Sequence, residues 1–396
     1  MAKTSPKVLD VFSGAGGFSL GFEMAGCEII GAIDIDKWAL DTFQANHPRA
    51  KTLLGDIRDF SDYCLSQYFD NKPNIIIGGP PCQGFSICNK NAGDPRDPRN
   101  SLFKEFLRCA LIFEPDFLVM ENVANIIRAK TLRGKKVVDI IKEAFERLGY
   151  FVYFDILHAG NFGVPQKRQR FFLIASKKKL DTPFPAPTHF FGDNDIFSNG
   201  LKKCPTLWEA ISDLPSIEAS EGGEQMEYSK SAENEYQRLC RKGSRYVFNH
   251  SAMKHSKRLI ARFASMRWGD SVSDIKDENL KQRKRNGNGA ISDSVYDQNN
   301  RRMHPYDLCN TITASFYGNF VHPFFDRNFT AREGARIQSF PDNYIFKGKP
   351  TTASKKLLER EGRLDEAYLC QYSQIGNAVP PLMARALAKN ILKELV

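Results

Sequence analysis

From residue 7 to residue 178, short apolar runs alternate with stretches whose apolar positions recur every three or four residues. The runs predict strands and the recurrences predict helices, and their alternation is the pattern of βαβ units around a mostly parallel sheet. Val8-Leu9-Asp10-Val11-Phe12 reads as the first strand. It runs into Ser13-Gly14-Ala15-Gly16-Gly17, a turn whose glycines permit close backbone approach to a ligand, and a helix is predicted from Ser19 to Ala25. Ile29 to Asp34 reads as the second strand, and Asn74 to Ile77 as a buried strand that stops at Gly78. Leu102, Phe103, Phe106, Leu107 and Ala110 mark one helical face, and Phe117 to Met120 a strand ending in Glu121-Asn122-Val123. Val137, Ile141, Ala144, Phe145 and Leu148 mark a further helix, followed by strands over Tyr150 to Leu157 and Phe171 to Ala175.

The pattern changes after Ser176. Pro183, Pro185 and Pro187 lead into a long polar segment, which marks a domain boundary. Within it His255 to Trp268 predicts a basic amphipathic helix with Leu259, Ile260, Phe263 and Met266 inward, and Lys281 to Asn300 reads as a loop. A helical pattern resumes near Thr330, and Pro380-Pro381 opens a last helix.

A chain of 396 residues with 42% hydrophobic and 26% charged residues is an ordinary globular composition, long enough for two domains. No apolar run reaches 18 residues, so neither a signal peptide nor a membrane span is predicted, and a soluble intracellular protein is expected. Nine cysteines without CxxC pairs point to reduced thiols, and neither they nor the seven histidines predict a metal site. Charge changes the picture more. Arg238 to Arg302 holds 16 Lys or Arg against 6 Asp or Glu, an excess equal to the +10 of the whole chain. Concentrated in one segment, that excess is the footprint of a polyanion-binding surface.

The predicted strand ends carry Asp34, the loop "GGPPCQGFS" with Cys82, and Glu121. Carboxyl ends of strands are where open α/β sheets display ligand-binding and reactive groups. The glycine turn is not the dinucleotide fingerprint, because Ser19 stands where its last glycine belongs; Asp34, 20 residues after Gly14, is nevertheless where an acid meets a ribose hydroxyl.

Six motifs occur in order: "DVFSGAGGFSLGFEMAG" at 10 to 26, "GGPPCQGFS" at 78 to 86, "ENV" at 121 to 123, "QKRQR" at 166 to 170, "TAREGARIQSFPD" at 330 to 342 and "QIGNAVPP" at 374 to 381. In content and order the chain resembles the DNA cytosine-5 methyltransferases of bacterial restriction-modification systems. The resemblance implies an α/β fold, a Rossmann-like mostly parallel sheet that binds S-adenosylmethionine, with a smaller target-recognition domain. It implies a catalytic domain over 1–185 completed by 367–396, a recognition domain over 186–326 and a connecting helical segment over 327–366.

The resemblance also implies roles. Cys82 is the nucleophile that adds to carbon 6 of cytosine, Glu121 serves the base's N3, Arg168 braces its O2, and Arg170 is a phosphate or structural partner. Phe12, Gly14, Gly16 and Pro81 line the cofactor site, Asp34 matches the ribose acid, Asp56 and Ile57 the adenine pair, and Asn377 and Val379 return to complete it. Ile35 stands where some members place an aromatic residue against adenine. Ser86, Arg301, Arg302 and Thr313 are expected near DNA. Double-stranded DNA is the implied substrate, with its target base flipped out and the loop Ile87 to Asn100 as a lid. A separately acting restriction endonuclease is an implied partner. A monomeric, cytoplasmic, DNA-associated bacterial enzyme is expected. A tRNA-methylating relative, a catalytically silent DNA-binding module and a nicotinamide enzyme are the competing readings; the missing Cys-Phe-Thr motif, the intact Cys82, Glu121 and Arg168, and the missing GxGxxG speak against them in turn.

Overall fold

The computed structural model describes residues 5–70, 72–81, 102–131, 134–192, 200–284, 289–292, 299–353 and 355–395. Contacts divide the chain into two compact units, Met1–Gly163 with Arg168–Lys202 and Ala378–Val396, and Val164–Lys167 with Lys203–Asn377.

The first unit is built on strands β1 (Lys7–Val11), β2 (Glu28–Asp34), β3 (Lys51–Leu54), β4 (Ile75–Gly78), β5 (Phe117–Val123), β6 (Phe151–His158) and β7 (Gln169–Ser176). They form one sheet in the order β3-β2-β1-β4-β5-β7-β6. The five strands from β3 to β5 pair in parallel, and β7 runs antiparallel to both β5 and β6. Central strands buried on both faces need unbroken apolar sequence, and Ile75, Ile76 and Ile77 are fully buried. Helices α1 (Gly17–Met24), α2 (Lys37–Asn46), α3 (Asp62–Tyr68), α4 (Leu102–Phe113) and α5 (Val137–Arg147) belong to the same unit. Phe106, Cys109, Ile141 and Phe145 join Leu118, Leu173 and Phe171 in its core.

The chain winds from β1 outward to β3, then restarts on the other side of β1 with β4. Strand order therefore reverses between β1 and β4, the point at which open α/β sheets bind ligands beyond the strands' carboxyl ends. Gly78 makes the approach possible: a Cβ there would lie 2.1 Å from the Val11 carbonyl oxygen. The helix Pro381–Glu394 packs on α1, where a Cβ on Gly21 would stand 2.3 Å from that of Ala384.

Residues 186–202, expected in the recognition domain, stay with the first unit. Thr188 N–H donates to the Asn161 carbonyl at 2.9 Å, and the rings of Phe191 and His158 stack at 4.3 Å.

In the second unit a hairpin pairs Gly222–Glu227 with Tyr246–Ser251, and the helices are Leu207–Ile211, Glu235–Arg241, Lys257–Ala264, Ala331–Ile337, Lys355–Arg360 and Gln371–Asn377. The basic helix buries Phe263 and, just past its end, Met266 against Ile275 and Val321, with Leu259 beside them; it ends at Ala264, short of the expected Trp268. The segment 327–366, expected to be a connecting helical segment, falls within this unit. Every residue of Ala331–Ile337 is buried. Arg336 pairs with Asp342 at 2.6 Å and with Asp213 at 2.9 Å, and Arg327 grips both oxygens of Glu333 at 2.7 and 2.8 Å. Buried charges are tolerated only when paired this fully.

Candidate active site

The turn after β1 is shaped by backbone geometry. Phe12, Gly14 and Gly16 all have positive φ, which strains only the phenylalanine, and the N–H groups of Phe12 and Ser13 converge on the Ile33 carbonyl at 2.9 and 3.1 Å. Asp34 fastens the turn. Its carboxylate accepts from Gly14 N–H at 2.7 Å and from Asp36 N–H at 2.8 Å, while burial pushes its carboxyl up to about 6. Ile35 beside it is 64% exposed, an apolar side chain just past the end of β2.

Below the turn lies an acid to which the sequence reading gave no role. Asp10 is 1% exposed and accepts from the Ser19 hydroxyl at 2.6 Å; its Oδ1 is buried without a hydrogen bond among the described residues. Burial, with the charge of Asp34 adding to it, raises Asp10 to about 7. The serine that breaks the dinucleotide fingerprint thus serves to hold this carboxyl. A lone acid inside an apolar strand was the available signal.

These features suit a cationic nucleotide-like ligand. An orphaned carboxylate oxygen lies beneath the turn, a Cβ on Gly14 would meet nothing within 4 Å, and Ile35 offers an apolar face. Asp56 fits less directly: its carboxylate caps the turn Ile57–Asp59 and pairs with Arg58, and Ile57 is buried. Pro81 is exposed, Val379 is buried in the first unit, and Asn377 is exposed at the end of its helix in the second.

The reactive end gathers on β4, β5 and β7. Glu121 lies near the carboxyl end of β5, where its Oε1 takes Arg170 Nε at 2.8 Å. Gly79 passes so near that an added Cβ would lie 3.2 Å from Glu121 Oε2. Asn122 Nδ2 donates to the Pro80 carbonyl at 3.0 Å, pinning the loop that enters Cys82. Burial raises the Glu121 carboxyl, opposed by the guanidinium groups of Arg170 and Arg168. Cys82, Ser86 and the loop 87–100 lie outside the described residues.

The two arginines differ in their surroundings. Arg168 is 0% exposed and donates to the Ala378 carbonyl at 3.1 Å, so it braces the protein's own chain. Arg170 is the guanidinium on Glu121.

Residues 6–393 match the C-5 cytosine-specific DNA methylase family. The chain belongs to that family. It is 48% identical over 388 residues to the type II methyltransferase M.DdeI of Desulfomicrobium norvegicum, covering 97% of this chain and 88% of that one. It is 34% identical over 387 residues to the type II methyltransferase M1.HphI of Haemophilus parahaemolyticus, covering 97% and 86%. Among solved structures, a candidate DNA modification methyltransferase encoded within an E. coli prophage superposes with a TM-score of 0.72 at 24% identity over 99% of both chains. The S. pombe Dnmt2 methyltransferase does so at 0.57 and 17%, again over 99% of both; at such identities these two show the fold alone.

The second unit of this DNA cytosine-5 methyltransferase holds Arg301, Arg302 and Thr313. Arg302 is buried, and its guanidinium donates to the carbonyls of Phe263 at 2.6 Å and His322 at 3.1 Å and to Asp326 at 2.5 Å. Its hydrogen-bonding capacity serves the fold of the unit. Arg301 is half-buried and donates to the Gly269 carbonyl, whereas Thr313 is exposed. No helix among the described residues is long and apolar enough to cross a membrane, and no group of three or more His, Cys, Asp or Glu among them could hold a metal ion.

Proposed function

We propose that this methyltransferase modifies carbon 5 of one cytosine within a short sequence of double-stranded DNA, through a covalent adduct of Cys82 with carbon 6 of a base flipped out of the helix. The arrangement of Glu121 carries the reading: a carboxyl raised by burial, held by Arg170 at 2.8 Å and facing the backbone of the loop that enters Cys82. Carbon 5 is a poor nucleophile. Addition of the thiolate to carbon 6 makes carbons 4 to 6 enamine-like and sends electron density to N3, where protonated Glu121 donates. Carbon 5 takes the methyl group, loses its proton, and the thiolate leaves by elimination. A thiolate suits both halves of that cycle.

Bound S-adenosylmethionine supplies the methyl group as an electrophilic sulfonium. Phe12, Gly14, Gly16 and Pro81 would cradle its amino-acid end, Asp34 its ribose, and Ile35, Asp56, Ile57, Asn377 and Val379 the remainder. We assign the base's O2, expected to meet Arg168, to Arg170 because that guanidinium already lies on Glu121, and give Arg168 the support of the chain at Ala378. Extruding the base costs a few kcal/mol, returned by such contacts. Thr313 and Arg301 stand for the DNA-facing surface, and the basic segment 238–302 supplies salt-sensitive affinity for phosphates. The test is position-resolved sequencing of 5-methylcytosine in plasmid DNA from cells expressing the wild type or Cys82→Ala. Methylation at one short motif, lost in the variant, is expected. Methylation that persists in the variant refutes the adduct.

A further inference from the structure

Two fully buried glutamines in the second unit link segments far apart in sequence. Gln166 Oε1 accepts from Ile312 N–H at 2.8 Å, and its Nε2 donates to Gln338 Oε1 at 2.8 Å and to the Ile337 carbonyl at 3.4 Å. Gln338 Nε2 donates onward to the Ile375 carbonyl at 2.8 Å. Around this chain of amides the backbones are in register. Cys309 and Asn310 pair in parallel with Gln166 and Lys167, and Thr311 Oγ1 donates to the Lys167 carbonyl at 2.6 Å. Gly376 seats against the same run, since a Cβ there would lie 2.2 Å from the Thr313 carbonyl oxygen.

We infer that Gln166 is a positioning residue, whose amide fixes the run Thr311–Ser315 in register with the segment that leads into Arg168 and Arg170. The inference rests on the reading of that run as DNA-facing. Packing alone would be served by a leucine of similar volume. The amide is needed because an acceptor for Ile312 and a donor for Gln338 must sit at one buried point, and an unmatched polar group there is costly. Arg168 follows Gln166 by two residues and Arg170 by four. The test is whether an error of register at Gln166 disturbs the segment that carries both arginines.

Gln166→Leu removes both functions of the amide; Gln166→Glu keeps the acceptor for Ile312 and loses the donor to Gln338. The measurement is single-turnover methyl transfer at saturating plasmid DNA carrying the motif the wild type methylates, with S-adenosylmethionine and DNA affinities determined alongside. The amplitude counts folded enzyme and the rate constant reports the site. A rate constant reduced about tenfold or more in Gln166→Leu and less in Gln166→Glu, with cofactor affinity within about twofold of wild type, is expected. A loss of amplitude with the rate constant unchanged overturns the inference, and should Gln166→Leu fail to fold, a wild-type rate constant in Gln166→Glu does so. Thr313→Val separates the underlying reading: if DNA affinity and rate are both untouched, the run does not face DNA and the reading falls first.

Discussion

Adjacent glycines at the end of β4 give a sharp test of the site, because the same added methyl group should fail in two different ways. At Gly78 the new Cβ would sit 2.1 Å from the Val11 carbonyl oxygen, where ordinary contact begins at 3.4 Å. Both partners are backbone, so neither can rotate aside, and β1 and β4 must part by roughly 1 Å at their carboxyl ends; overpacking of this kind costs about 3 kcal/mol. At Gly79 the new Cβ would lie 3.2 Å from Glu121 Oε2, a side-chain atom that must give only a few tenths of an ångström. Neither glycine has positive φ, so backbone strain does not confuse the comparison. Gly79→Ala should cost less than about 1 kcal/mol of stability. If 1 Å of misplacement costs on the order of a hundredfold in rate, a few tenths should slow methyl transfer about three- to tenfold. Urea unfolding followed by circular dichroism measures the first effect. Single-turnover transfer of a labelled methyl group measures the second. The reasoning fails if Gly79→Ala matches Gly78→Ala in lost stability, or if it keeps the wild-type rate constant, since Glu121 would then be outside the chemistry.

Asp10 makes stability depend on pH. Its carboxyl rises from 3.8 to about 7 on folding, so the unfolded chain releases a proton that the folded chain retains, and stability falls as pH climbs through that window. Asp10→Asn should remove this slope, on the order of 4 kcal/mol across the whole range; parallel urea midpoints for variant and wild type between pH 5.5 and 8.5 would refute the assignment. Arg170→Met should lower the single-turnover rate on the order of a hundredfold with the fold intact, whereas Arg168→Met, emptying a fully buried guanidinium site, should chiefly lower the urea midpoint; the reverse pattern would return the base-facing role to Arg168. Arg302→Ala should cost on the order of 1–3 kcal/mol by leaving the carbonyls of Phe263, His322, Pro323 and Phe325 and the part-exposed Asp326 without their donor, while the folded fraction keeps the wild-type slope of DNA affinity against salt; a shallower slope would place Arg302 at the DNA.

Much of the fold is legible in the sequence because burial on both faces leaves few choices. Ile75 to Ile77 can only be a central strand, and α4 and α5 follow from apolar residues at helical spacing. Domain limits were harder. A polar, proline-rich stretch after Ser176 looks like a boundary, yet residues up to Lys202 return to the first unit through a few backbone bonds and one ring stack that composition does not encode. The resemblance makes 327–366 a connecting segment; Arg327, Glu333, Arg336 and Asp342 within it are buried in ion pairs whereas Lys349, Arg363 and Glu366 pair near the surface, and a partner as distant as Asp213 for Arg336 leaves no local trace.

The arginines show the same limit at the scale of two residues. In a continuous strand Arg168 and Arg170 would point to one face and share one environment. The strand is not continuous. Gln166 and Lys167 pair with Cys309 and Asn310, Arg168 belongs to neither strand although its carbonyl accepts from Ala159 N–H at 2.8 Å, and β7 runs from Gln169 against β6 and from Arg170 against β5. At this change of partner Arg168 is buried and donates to the Ala378 carbonyl, while Arg170, opposite Val123 in the β5 ladder, reaches Glu121. Motif spacing singles out both arginines. It cannot tell which touches the carboxyl, because that follows from a strand changing partners. The side chains that set the register of that change, Gln166 and Gln338, hydrogen-bond to each other across 172 residues.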